Sequence, residues 1–267
     1  MGNIQKLNIL FCGARKLGIQ CLDILMRTKY VNIVGVVVPR ADDKKWWTDI
    51  NEVREVRRRK KPLVLWNDAK EFKNLDLVVS VLHGQIFTDL FISRVKFGII
   101  NLHPAPLPEY RGKNGPAHAI INNERKFGAT FHYVDVGIDT GPIIKKMLFN
   151  IGKQDTGFSV YQKTHLIAVK LFREEIPKVI RYALNGKRIL SIPQDQTKAQ
   201  YYSCHSIDNK EVDLNWEYEK IYNYVRALQF TPFEPAFFIY KNQKIHLQTI
   251  NKKIIILNQY PLIKWIQ

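Results

Sequence analysis

The stretch NLHPAPLPEYRG, residues 101–112, follows the apolar run Phe97-Gly98-Ile99-Ile100, so Asn101 and His103 stand at the end of what reads as a buried strand. An amide can donate hydrogen bonds to developing negative charge, and an imidazole exchanges protons near neutrality. Three prolines in the next five residues stiffen the turn that follows. Position alone leaves two roles open: a site, or a strand capped by Asn101 with His103 half-exposed in a loop. The segment HYVDVGIDTGPII, residues 132–144, favours the site, because it brings Asp135, Asp139 and several glycines to a second loop.

These groups need a frame. LNILFCG (7–13), VNIVGVVV (31–38), PLVLW (62–66), DLVVSVL (76–82) and FGIINL (97–102) are short, β-branched and nearly continuous in hydrophobicity, as expected for parallel strands buried on both faces. Helix-like stretches near 16–29, 48–60 and 87–94 separate them, which predicts a doubly wound α/β sheet. A helix at 115–123, strands at 128–135 and 141–151 and a long helix at 156–185 continue the pattern. In such sheets ligands bind outside the carboxyl ends of the strands, where Asn101, His103 and the segment His83 to Phe87 all fall. After SIPQDQTKAQ the composition turns polar and aromatic, with a helix near 216–228 and a hairpin-like AFFIYKNQKIHLQTI. The boundary is placed near 195, giving a domain 1–195 and a small C-terminal domain 196–267.

Of the 267 residues, 46% are hydrophobic and 12% aromatic, enough for one good-sized core and an appendage. Forty-one Lys and Arg against 24 Asp and Glu give a formal charge of +17, which favours anionic partners: nucleic acid, a membrane surface or a phosphorylated small molecule. Lysine is nevertheless scattered along the chain, and the one dense basic run, Arg54 to Lys61, reads as a solvated helix face. No stretch is long and apolar enough to span a bilayer, and MGNIQKLNILFCG lacks the pattern of a signal peptide. It also has Lys6 where a myristoylation signal wants Ser or Thr. Cys12, Cys21 and Cys204 form neither a metal-ligand pair nor an even disulfide set, so no metal is expected and a reducing cytoplasm is the expected location. The turn CGARKLG lacks the three ordered glycines of a dinucleotide fingerprint, but it opens the first helix, where Arg15 and Lys16 can join backbone amides at an anion site.

Asn-x-His-Pro followed by Leu-Pro-x-Tyr-Arg-Gly, then Asp-x-Gly-x-Asp-Thr-Gly, resembles the formyltransferase family that uses 10-formyltetrahydrofolate, over roughly residues 7–190. The resemblance implies a Rossmann-like formyltransferase domain with a catalytic trio of Asn101, His103 and Asp139. Asn101 would offer an amide N–H to the oxyanion, worth roughly 2.7–4 kcal/mol. His103 would stabilise the same charge and act as general acid, and Asp139 would hold the imidazole and receive or relay the amine proton. His132 occupies a family position nearby; as a lone strand histidine it could equally be packed or paired. The co-substrate 10-formyltetrahydrofolate would be held by Leu82, Gln85, Ile86 and Phe87 and by the loop Asp135, Val136, Gly137, although His83-Gly84-Gln85 departs from the family's usual residues.

Within the family, the tRNA enzyme carries a C-terminal barrel longer than residues 196–267. The nucleotide-sugar branch has an aromatic pair similar to Trp46 and Trp47, which could equally anchor a helix, and a C-terminal run similar to VDLNWEYEKIYNYVRALQFTPFEPAFF, where Glu234-Pro235-Ala236 replaces Pro-Gly-Ala. The expected function is therefore N-formylation of a nucleotide-linked amino sugar, a dTDP-amino-dideoxyhexose for surface glycan synthesis. Arg15, Lys16, Trp46, Trp47 and Arg111 are the expected substrate contacts, with no nucleic-acid or membrane partner. Methionyl-tRNA formyltransferase is the alternative. A non-catalytic basic RNA-binding module is another, and it would not require Asn101, His103 and Asp139 to converge. The aromatic hairpin looks too short to bury a core of its own, so its apolar face is expected to meet its mate in a homodimer.

Overall fold

A computed structural model describes residues 6–39 and 50–257. Along the chain run β1 (Leu7–Gly13), α1 (Arg15–Arg27), β2 (Val31–Val37), α2 (Glu52–Arg58), α3 (Trp66–Ala69), β3 (Leu77–Val81), α4 (Asp89–Arg94), β4 (Ile99–His103), β5 (Arg111–Gly112), α5 (Gly115–Ile121), β6 (Lys126–Tyr133), β7 (Ile143–Asn150) and α6 (Gly157–Leu184). Then come β8 (Tyr201–Tyr202), α7 (Tyr218–Ala227), β9 (Phe237–Tyr240), β10 (Gln243–Ile250) and β11 (Lys253–Ile256). The chain divides into two compact units: residues 1–111, 128–147 and 165–200 form the first, and 112–127, 148–164 and 201–267 the second.

The first unit is built on a six-stranded sheet in the order β2-β1-β3-β4-β6-β7. β1, β2, β3 and β4 pair in parallel and β6 runs antiparallel to β4. Leu77, Val78, Val79 and Val81 are fully buried because both faces of the sheet are covered, which accounts for the unbroken apolar runs. Leu17, Leu22 and Leu25 of α1 and Leu171, Phe172 and Ile176 of α6 belong to the core on one face. Phe87, Phe91 and Ala69 close the other. The architecture is a doubly wound α/β fold.

The segment PLVLW does not enter the sheet as a strand. Leu63 makes only an isolated bridge to Val36, and Trp66 already begins α3. Pro62 has no N–H to give a ladder, and the backbone of the stretch bonds to β2 through the Pro62 carbonyl and the Val64 N–H. In the basic run, Arg54, Arg57 and Arg58 are exposed, while Arg59 pairs with Asp23 at 2.7 Å and with Glu55 at 2.6 Å.

In the second unit, β9, β10 and β11 form a three-stranded antiparallel sheet. Phe237 is buried, while Ile239 and Tyr240 are exposed. Val212, Val225 and Leu228 join Ala236 and Leu247 in a small core, so the hairpin has apolar partners within its own unit. α7, the helix expected near 216–228, and β11, which the sequence did not reveal, make this possible. Among the described residues no helix is long and apolar enough to cross a membrane.

Candidate functional site

The register of β4 against β6 builds the site. Asn101 faces His132 across the antiparallel ladder and His103 faces Thr130, so Asn101, His103 and His132 share one face at the carboxyl end of β4. Beyond the strand, the Thr130 hydroxyl donates to the Ala105 carbonyl at 2.8 Å and accepts the Leu107 N–H at 3.0 Å. Thr130 is fully buried, and these two bonds tie the proline-rich turn to β6.

His103 is buried, and its Nε2 lies 2.8 Å from the Tyr110 carbonyl. A carbonyl only accepts, so Nε2 carries a proton and Nδ1 is the edge left for chemistry. Nδ1 is turned to Asp139 Oδ1 at 3.5 Å. A second proton placed on this edge makes an imidazolium that faces a carboxylate, which suits a group that delivers a proton.

His132 is arranged differently. Its Nδ1 donates to the Tyr133 carbonyl at 2.7 Å, and Nε2 lies 3.1 Å from Asn101 Nδ2 and 3.7 Å from Asp139 Oδ1. Burial pushes this imidazole down to about 4, against the pull of Asp139 and with a smaller push from His103, so it is neutral near pH 7. Its Nε2 then accepts, and the group that Asn101 presents to it is the NH2.

Asp139 stands in the left-handed region at φ 56, on a loop whose start is closed by Asp135. Asp135 Oδ1 accepts the Gly137 N–H at 3.2 Å and the Thr140 hydroxyl. Gln194, from the polar linker after α6, donates its Nε2 to the carbonyls of Asp139 at 2.8 Å and Gly141 at 2.7 Å. Sequence reasoning missed Gln194, because nothing in SIPQDQTKAQ marks a side chain that reaches back to position 139.

The expected co-substrate segments lie close by. Leu82 takes a left-handed φ of 57, Gln85 and Ile86 are exposed and Phe87 is buried in the aromatic cluster of Trp66 and Phe91. Ile92, Tyr133, Val134, Asp135, Val136 and Pro142 help line a cavity of about 370 Å3, within the size range of small-molecule sites. Ile86 and Val136 are 70% and 65% exposed, which leaves apolar surface fit for one face of a planar ring. The side chain of His83, in the segment that departs from the family, instead packs among Trp66 and Phe87.

Of the expected substrate contacts, Lys16 is exposed and Arg15 opens α1, where its N–H donates at 3.0 Å to Glu52, a buried carboxylate. One of the free amides of that helix start is thus taken by the chain itself. Trp46 and Trp47 lie outside the described residues. Arg111 is buried and gives Nε and Nη2 to Gln194 Oε1 at 3.1 and 2.8 Å, and Nη2 to Gln196 Oε1 at 3.1 Å. His118, without a pattern in the sequence, stacks on Tyr202 and meets the Ser206 hydroxyl at 2.7 Å.

Asn101, His103 and Asp139 therefore converge, as catalysis requires and an RNA-binding module does not. The methionyl-tRNA formyltransferase of Alkaliphilus oremlandii is 31% identical over 179 residues, 66% of this chain and 56% of that protein. The GDP-perosamine N-formyltransferase of Brucella melitensis is 30% identical over 165 residues, 60% of each chain. The chain thus spans 56–60% of the length of these curated relatives. Among solved structures, the N-formyltransferase of Helicobacter canadensis, in complex with folinic acid and dTDP-3-aminofucose, superposes with TM-score 0.73 at 20% identity, over 94% of this chain and 95% of that one. Methionyl-tRNA formyltransferase from Clostridium thermocellum gives 0.60 at 19% identity, over 94% and 96%. At these identities the likeness speaks for the fold. Residues 33–176, more than half of the chain, match the formyl transferase family model, and the chain belongs to that family.

Proposed function

We propose that this chain transfers the formyl group of 10-formyltetrahydrofolate to the amine of a nucleotide-linked amino sugar, a dTDP-amino-dideoxyhexose used in surface glycan synthesis, in the cytoplasm. The convergence of Asn101, His103 and Asp139 on one face carries the reading. In the transfer the amine nitrogen bonds to the formyl carbon, the bond from that carbon to N10 breaks, the amine loses a proton and N10 gains one. Asn101, its amide oriented by His132, donates an N–H to the formyl oxygen as charge builds there. His103 gives up the proton on Nδ1 toward N10, and Asp139 takes the amine proton and returns the imidazole to its charged form. Leu82, Gln85, Ile86, Phe87, Asp135, Val136 and Gly137 hold the folate. Arg15, Lys16, Trp46 and Trp47 serve the nucleotide sugar, whereas Arg111 is buried against Gln194 and Gln196.

The sugar is favoured by the solved H. canadensis protein with its folinic acid and dTDP-3-aminofucose, which superposes at TM-score 0.73 against 0.60 for the C. thermocellum tRNA enzyme. A second reading, formylation of methionyl-tRNA, is favoured by the 31% identity to the A. oremlandii enzyme. Residues 196–267 are assigned to homodimer formation. Incubation with 10-formyltetrahydrofolate and a panel of nucleotide amino sugars, with initiator Met-tRNA alongside, distinguishes the readings. Formylated sugar supports the first, and formylated tRNA alone refutes it.

A further inference from the structure

We infer that Gln194 is a positioning residue, oriented by Arg111, whose side-chain amide holds the loop that carries Asp139. The inference rests on the formyl-transfer reading for its kinetic consequences, though not for the loop geometry.

Every hydrogen-bonding position of the Gln194 amide is used. Oε1 receives two N–H groups of Arg111, at 3.1 and 2.8 Å, and both amide hydrogens go to backbone carbonyls, Asp139 at 2.8 Å and Gly141 at 2.7 Å. A guanidinium only donates, so Arg111 forces Oε1 to its own side and Nε2 to the loop. The reverse orientation would set an NH2 against a cation and an oxygen against two carbonyls. Arg111 and Gln194 are both buried, and Arg111 is faced by two amides, Gln194 and Gln196, with no carboxylate bonded to it among the described residues. That is an unusual way to spend a buried cation, and it is accounted for if its task is to orient an amide.

The loop needs such a hold. A non-glycine residue at φ 56 stands in a sparsely populated region that persists only where its surroundings enforce it. Internal bonds through Asp135 fix Gly137 and Thr140, while the carbonyls on either side of Thr140 go to Gln194. Without the clamp, Asp139 keeps its chemistry and loses its distance from His103.

Gln194→Glu tests this directly. The carboxylate can pair with Arg111, so the local fold is retained, but it offers two acceptors to two carbonyls. Turnover should fall by about 10²-fold, with the Michaelis constant for the nucleotide sugar little changed and the thermal midpoint lowered only by the loss of two donors to the loop carbonyls. Because the effect acts through Asp139, Gln194→Glu should add almost nothing in an Asp139→Ala background. Gln194→Asn, which keeps the amide but shortens its reach, should fall similarly and serves if the Glu variant does not fold. Amide hydrogen exchange over residues 137–141 should rise in either variant whatever the protein formylates. Turnover within about twofold of the parent, an equal loss with and without Asp139, or unchanged exchange would each overturn the clamp. If the parent protein transfers no formyl group at all, the functional reading fails and the exchange measurement alone decides the clamp.

Discussion

Asn101 Nδ2 lies 3.1 Å from His132 Nε2, and this contact decides which way the Asn101 amide faces. The His132 Nδ1 proton is committed to the Tyr133 carbonyl at 2.7 Å, so Nε2 is an acceptor and Asn101 turns its NH2 toward it. One amide hydrogen is used in this way and the other is free to meet a formyl oxygen. Asn101→Ala should lower turnover by about 10²–10³-fold. His132→Phe keeps a buried ring but removes the acceptor; it should cost about tenfold or more, and the double variant should be no worse than Asn101→Ala. Steady-state kinetics on the three variants check this, and additive losses would separate His132 from Asn101.

Burial pushes two histidines of the first unit, His83 and His132, down to about 4. Each binds no proton in the folded chain where the unfolded chain, near 6.5, does. Their contribution is fully present above about pH 6.5 and is lost as pH falls from there to about 4, at no more than roughly 1.4 kcal/mol per pH unit for each group. His83 offers the cleaner test, since its Nε2 is buried without a hydrogen-bond partner among Trp66 and Phe87. His83→Phe should flatten the loss of stability between pH 6.5 and 4. Urea unfolding at several pH values measures the slope, and an unchanged slope would show that this imidazole is not held neutral.

What the sequence disclosed follows a physical pattern. β1 to β4 were legible because strands buried on both faces cannot hide their apolar runs. Asn101 and His103 were legible because polar groups at the end of such a run stand out. PLVLW misled because its composition suits a strand while Pro62 and the start of α3 deny it a ladder. The pairing of Asn101 with His132 depends on the β4–β6 register, and two strands with a proline-rich connection between them do not declare their register in one dimension. Gln194 is harder still: its partners lie at positions 111, 139 and 141, and only the fold brings a linker amide to them.

Gly141 bears on the same loop. A Cβ at this position would overlap the Tyr133 carbonyl oxygen and crowd the Asp135 N–H, and neither backbone group can swing aside as a side-chain end could. Gly141→Ala should therefore shift the segment between β6 and β7, carrying the Asp139 carbonyl and the Gln194 contact with it. Turnover should drop by more than about tenfold, while β1 and β2, at the other end of the sheet from β6, keep their protection in hydrogen exchange. Parent-like turnover in the Ala variant would mean that the loop closes over its substrate in a different conformation from the one described.

The charge of +17 gives the sharpest separation between the two acceptor classes. A nucleotide sugar presents two phosphates, and the residues expected to meet them, Arg15 and Lys16, would neutralise few charges. A tRNA surface would engage many cations and release a counterion for each, with a slope of log affinity on log salt near −0.7 to −0.9 per phosphate. Raising salt from 50 to 200 mM should then weaken a nucleotide-sugar ligand by no more than about tenfold, against about 10³-fold or more for an acceptor that makes six or more phosphate contacts. Some of the cations are also paired locally, as where Arg59 meets both Asp23 and Glu55. The expected result is shallow salt dependence for dTDP-amino sugars, and weak binding of Met-tRNA that disappears at 200 mM salt without formylation. Tight, steeply salt-dependent tRNA binding accompanied by formyl-methionyl-tRNA would transfer the assignment to the tRNA enzyme.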